Sequence, residues 1–176
     1  MRIRDKIKKP QRPVVAYEIL PPREKDGTLN SYAETISSLL SQTHIDAINI
    51  PEVHDEVGRG ERPVSNQERG EPRKFGMLLQ DIVGIEAIVN RVVVHMPLKK
   101  QMEWIEETYS HYEIDNLIIV GGESSKQQYP GPTVNESLEK ISQENRLRKK
   151  SILCGGICIP SRKKESKNLI RKSECG

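Results

Sequence analysis

The sequence predicts an α/β fold in which short strands and helices alternate five times. Five short runs rich in β-branched or aliphatic residues recur along the chain: VVAYEIL, DAINI, RVVVH, NLIIV and SILCGGICI. Each is followed closely by proline or glycine, and longer stretches with helical apolar spacing lie between them. Runs as apolar throughout as NLIIV suit a parallel sheet covered on both faces, and alternating βα units define an α/β protein.

The elements follow in order. Met1 to Lys9 predicts a short amphipathic turn before Pro10 and Pro13. Val14 to Leu20 predicts the first strand, stopped by Pro21-Pro22. Thr28 can cap a helix to about Gln42, with Tyr32, Ile36, Leu39 and Leu40 near helical spacing. Asp46 to Ile50 predicts a second strand, closed by Pro51. Residues 51–74 are charged and broken by Gly and Pro, and predict a long loop. Phe75 to Ile85 returns to helical patterning. Arg91 to His95 predicts a third strand, Leu98 to Tyr112 a helix, and Asn116 to Val120 a fourth strand running into Gly121-Gly122. Thr133, with Glu136 three residues on, predicts a capped helix to about Arg148. Ser151 to Ile159 predicts a fifth strand, and Ser161 to Ser173 a basic helix.

Composition bounds the function. The 176 residues suit one domain but fall short of a complete eightfold barrel, which needs about 250. Aromatics at 4% argue against a surface of stacked rings, and a net charge of +3 is too small to imply nucleic acid. No apolar run approaches the ~20 residues of a membrane span, and no signal-peptide stretch follows the basic start. Cys154, Cys158 and Cys175 do not read as a disulfide framework, so a cytoplasmic location is expected. Cys154 and Cys158 would share one face of the fifth strand; without a second pair they predict small buried hydrophobes rather than a metal site.

Two architectures compete on this pattern, a doubly wound open sheet and part of a (β/α)8 barrel. No GxGxxG follows a strand, which weakens a dinucleotide fold. In both, ligands bind where strands end at their C-terminal side. Those positions are Glu18, Pro51-Glu52, His95, Gly121-Gly122-Glu123 and Pro160. Two carboxylates and an imidazole on one rim form a sensible acid–base set. Each also has a structural explanation: a solvated turn for Glu18, a hydrogen-bonded strand end for His95, a tight turn for the glycine pair. The run Arg162-Lys163-Lys164 with Lys167, Arg171 and Lys172 is either a solvated helix face or a phosphate site.

YEILPPRE (Tyr17 to Glu24) resembles the first-strand signature of the flavin-dependent methylenetetrahydrofolate reductases. NLIIVGGESS (Asn116 to Ser125) is similar to their fourth-strand element, an apolar run followed by Arg-Gly-Asp. Tyr129 before a helix, then ICIP and ESKNLIRKSECG, resemble later segments in the same order. The resemblance implies a TIM-type (β/α)8 barrel, truncated to about five βα units. One partial-barrel domain would span 1–176, with 51–74 a loop inside it.

The resemblance also implies chemistry: FAD-dependent reduction of 5,10-methylenetetrahydrofolate or a related methylene-pterin, with NAD(P)H as electron donor. Glu18 would be the general acid that opens the five-membered ring. His95, Val120, Gly121, Gly122, Glu123 and Tyr129 would lie along the flavin, with Glu123 also at the pterin. Asn168, Arg171 and Lys172 would hold the diphosphate and adenosine end. Glu123 replaces the family's Asp, Gly121 its Arg, Pro51 its Thr and Ile159 its Tyr, which places the chain in a divergent branch. Self-association or a partner chain would complete the barrel. The alternatives are a non-catalytic partial barrel serving as a subunit or a flavin- or pterin-binding module, and methyl chemistry with a corrinoid or pterin and no flavin.

Overall fold

A computed structural model of the chain describes residues 2–53, 69–122 and 127–175. The elements run α1 (Ile3–Lys8), β1 (Ala16–Glu18), α2 (Leu29–Leu40), β2 (Ala47–Ile50), α3 (Pro72–Val83), β3 (Ala87–Val92), α4 (Leu98–Ser110), β4 (Asn116–Val120), α5 (Val134–Arg148), β5 (Leu153–Gly156) and α6 (Glu165–Glu174). The strands form one parallel sheet in the order β1-β2-β3-β4-β5. A doubly wound sheet reverses its strand order at a switch point. No reversal occurs here. The four crossover helices α2, α3, α4 and α5 all pack on one face of the sheet, the winding that barrels use. Among the described residues, β1 and β5 are the two edges of the sheet.

Local chemistry explains the helix starts. The Thr28 hydroxyl accepts from the Ser31 N–H ahead of α2. Glu71 accepts from the Lys74 N–H ahead of α3, Pro72 fills the first helical turn, and Gly84 ends that helix at φ 70°. Thr133 and Glu136 form the expected capping box on α5. The helices bury one face of the sheet. Ile48, Ile50, Val89, Leu117 and Ile119 pack beneath Ala33, Ile36, Leu40, Phe75, Leu79, Ile105, Leu138 and Ile141. Each large aliphatic side chain buried this way contributes about 1.5–3 kcal/mol.

Several expected boundaries move. The strand expected at Arg91–His95 lies earlier, at Ala87–Val92, and Val93–His95 is a 3-10 turn. The valine run favours a strand by propensity, but Glu52 takes the Val92 N–H and the Gln101 side chain donates to the Val93 carbonyl, so the ladder stops. The first and fifth strands are shorter than expected, and Cys154 and Cys158 do not share a strand. Cys154 packs against the core, whereas Cys158 is exposed beyond the strand end. The helix expected from Phe75 begins at Pro72, because Arg73 is buried and bonded to Glu71 and Glu107. Residues 54–68 of the expected loop lie outside the described residues. The basic helix starts at Glu165 rather than Ser161.

The N-terminal helix sits across the N-terminal ends of the strands. Ile3 is 1% exposed and its N–H donates to Glu86. Arg2 pairs with Asp115, and Arg4 reaches the Ser151 carbonyl. Lys6 and Arg12 both meet Asp46, which also accepts the Val15 N–H at 2.9 Å. The Val15 N–H, then Lys6 and Arg12, hold the Asp46 carboxyl down to about 2 from the ordinary 3.8. A depressed folded value stabilises the fold above the ordinary value, and that stability is lost as pH falls through the folded one. Thermal unfolding is therefore expected to drop between about pH 4 and pH 2. Asp46→Asn should lower the melting temperature at neutral pH and flatten that acid limb. An acid limb identical to the wild type would remove Asp46 from this role.

Candidate functional site

Strand register sorts side chains onto two faces. On the face away from the helices, Glu18 stands beside Asn49, and Asn49 beside Ile88. One step toward the C-terminal ends, Asn90 stands beside Ile118, and Ile118 beside Gly155. This face carries polar groups where the helix-covered face is almost wholly aliphatic. A charged exception there is Arg91, at the outer end of β3, and Tyr17 on β1 registers with Ile48 on the same face. The Arg91 guanidinium lies 4.3 Å from the centre of the Trp104 ring and bonds Glu52 and Gln101. Burial pulls Arg91 below its ordinary value, and Glu52 works against that pull. Glu52, at a rim position by sequence, thus clamps β2 to β3.

Glu18 is exposed, and its Oε2 accepts from Asn49 Nδ2 at 2.9 Å. The bond holds one oxygen against the sheet and leaves the carboxylate facing the open side. A carboxyl placed this way can exchange a proton with a ligand lying on that face.

His95 lies past the end of β3, in the 3-10 turn, with its ring edge-on to Tyr129 at 5.7 Å between centroids. The loop carrying Tyr129 docks on that turn through the Gly131 N–H, which donates to the Val94 carbonyl at 2.8 Å. A Cβ on Gly122 would sit 2.2 Å from the Tyr129 ring. The glycine pair by sequence offers room for a flat ligand or a phosphate. In the structure, the room at Gly122 is filled by a ring of the same chain.

A cavity of about 450 Å³ opens at the C-terminal ends of β4 and β5. Val120, Gly121 and Gly122 form one wall, the start of α5 at Thr133–Asn135 another, and Arg162 and Lys172 supply cations. Backbone N–H groups at a helix start, beside two cations, suit an anion. Among the basic residues the resemblance singles out, Lys172 lines this cavity, and Arg162 joins it. Arg171 is exposed and does not line it. Asn168 donates to Glu165, as does Lys172, which also reaches the Ile157 carbonyl. The Ile159 N–H, more than Asn168 and Lys172, holds Glu165 below its ordinary value. Glu123 lies outside the described residues.

The structure therefore brings together two groups. Glu18 lies on the open face of the sheet. Val120, Gly121, Gly122 and Lys172 gather at the far rim, with the Tyr129 ring against Gly122 and edge-on to His95. Burial pushes the Cys154 thiol up to about 12, so it stays protonated and unreactive at neutral pH. Among the described residues, no group of three or more His, Cys, Asp or Glu is placed to hold a metal ion. No described helix is long and apolar enough to cross a membrane. Sequence reasoning missed Asn49 and Asn90. The signal that flagged Glu18, a polar residue inside an apolar strand, was present at both.

No family model matches the chain, and no curated protein does. A solved structure does. It is an uncharacterized protein from Clostridium thermocellum that binds two copies of 5-methyl-5,6,7,8-tetrahydrofolic acid. The TM-score is 0.70 at 18% sequence identity, over 99% of this chain and 55% of that one. The likeness shows a shared α/β fold, and the chain spans about half the length of that neighbour.

Proposed function

We propose that the chain binds a reduced folate on the open face of its sheet and serves an FAD-dependent reduction of the methylene to the methyl form. The observation that carries this is Glu18, exposed on that face and held by Asn49, in a fold shared with a protein that binds 5-methyltetrahydrofolate. In 5,10-methylenetetrahydrofolate one carbon bridges N5 and N10. A proton from Glu18 to N10 breaks the carbon–N10 bond and leaves an iminium at N5. When bound, reduced FAD would supply the hydride that turns this iminium into a methyl group, and NAD(P)H would restore the reduced flavin.

The residues fit the flavin's anionic part. The β4/β5 cavity offers the α5 start, Arg162 and Lys172 to a diphosphate. Arg162→Ala is expected to weaken FAD binding roughly ten- to a hundredfold, the worth of one charge-assisted hydrogen bond. Lys163→Ala, on an exposed neighbour outside that cavity, should leave it unchanged. Equal losses from both would reduce the effect to general charge.

Tyr129 favours a second reading, because its ring occupies the space Gly122 leaves for a flat ligand. In that reading the chain binds the folate without flavin, as a non-catalytic module. Calorimetric titration with FAD and with 5-methyltetrahydrofolate separates the two. Binding of both supports the reductase, binding of folate alone the module, and binding of neither removes the folate reading.

A further inference from the structure

Asn49 and Asn90 are each 9% exposed, on the open face of β2 and β3. The carboxamide oxygen of each is buried and has no hydrogen-bond partner among the described residues. A buried acceptor without a donor lowers stability, whereas an apolar side chain of similar shape carries no such cost. The fold had that option, since Ile88 and Ile118 occupy the neighbouring positions on the same face. Two such acceptors, one step apart on adjacent strands, therefore need an occasion on which they are satisfied. Beside them the surface is flat: Gly155 is exposed and carries no side chain, and it registers with Ile118.

We propose that Asn49 and Asn90 are ligand-reading residues that take the amide edge of a flat heterocycle lying over Ile118 and Gly155. A carboxamide turned about its terminal torsion presents one donor and one acceptor side by side. The complementary group is a ring edge with an adjacent N–H and C=O. A pterin carries such an edge, and so does the isoalloxazine of a flavin. Asn49 also holds Glu18 through its Nδ2, so a ligand on its oxygen sits next to that carboxylate. This inference rests on the reading that a folate or its flavin partner binds this face.

The test uses Asn90→Leu and Asn49→Leu in the full chain, with two readouts. Without ligand, Asn90→Leu should melt at or above the wild-type temperature, since it removes an unsatisfied buried acceptor. A marked fall would make Asn90 a structural residue and overturn the proposal. With ligand, both variants should bind 5-methyltetrahydrofolate or riboflavin at least tenfold more weakly. The probe that loses affinity identifies which ring is read. p-Aminobenzoylglutamate, which lacks the pterin, should respond equally little to all three proteins. Affinities within twofold of wild type for a probe that the wild type binds would overturn the proposal while leaving the folate reading intact. If the wild type binds neither ring, the folate reading itself fails, and this proposal with it.

Discussion

Glu18→Gln is expected to bind 5-methyltetrahydrofolate about as well as the wild type and to reduce 5,10-methylenetetrahydrofolate roughly 10²- to 10⁴-fold more slowly, the range general acid catalysis supplies. The substitution keeps the shape of the side chain and an oxygen that can accept from Asn49 Nδ2, so the local hydrogen bond survives. It removes the exchangeable carboxyl proton. Glu18 is exposed at the edge of the sheet, so the fold does not depend on it, and the melting temperature should stay put. The two readouts divide the outcomes. Slow turnover with intact binding is the signature of a proton donor at the reacting atom. Turnover unaffected by the amide would sink the assigned role. Loss of binding together with turnover would make Glu18 a contact to the ligand rather than its acid.

The second large effect lies in the rim. Gly131→Ala should lower the melting temperature by about 5–10 °C, with each kcal/mol worth about 2–4 °C in a chain of this size. A Cβ there would stand 2.5 Å from the Met96 and Val93 carbonyl oxygens and 2.7 Å from the Val94 carbonyl carbon. All three are backbone atoms, so no side chain can swing aside and the loop itself must lift. Overpacking of this kind costs about 1–3 kcal/mol. Lifting also breaks the Gly131 N–H bond to Val94, worth about 0.5–1.5 kcal/mol. The loop carries Tyr129, so the edge-on contact with His95 should go with it. Proton NMR contacts between the two rings would report that loss directly. Gly155→Ala is the contrast: its nearest neighbours are 3.8 Å and 3.9 Å away, so the unliganded fold should barely change. A Gly131→Ala loss as small as that of Gly155→Ala would mean the collision at Gly131 is relieved without moving the loop.

Much of the fold was legible because local rules agree with each other. The βα alternation, the Thr133–Glu136 cap and the span Asn116–Val120 stand where the residues predict them. At Arg91–His95 the local rule fails. A run of valines favours a strand wherever it lies, but the ladder ended at Val92 because Glu52 and Gln101, from other elements, took the next backbone groups. The site divides in the same way. Glu18 stands out as a carboxylate inside an apolar run. Asn49 and Asn90 carry the same signal, a polar residue inside an apolar run, but only register shows that they share the face of Glu18. Arg162 and Lys172 could be told from Arg171 only once the cavity between β4 and β5 had walls.

By itself, then, the sequence determined the order and kind of the elements, because hydrophobic period, caps and chain breakers act within a few residues. The tertiary structure alone decided the sequential winding of the sheet, the pairing of Glu18 with Asn49, the filling of the Gly122 space by Tyr129 and the two asparagine oxygens left without a donor among the described residues. Those features depend on which distant residues share a face or a gap. Strand register and loop docking set that sharing, and no short-range pattern encodes either one.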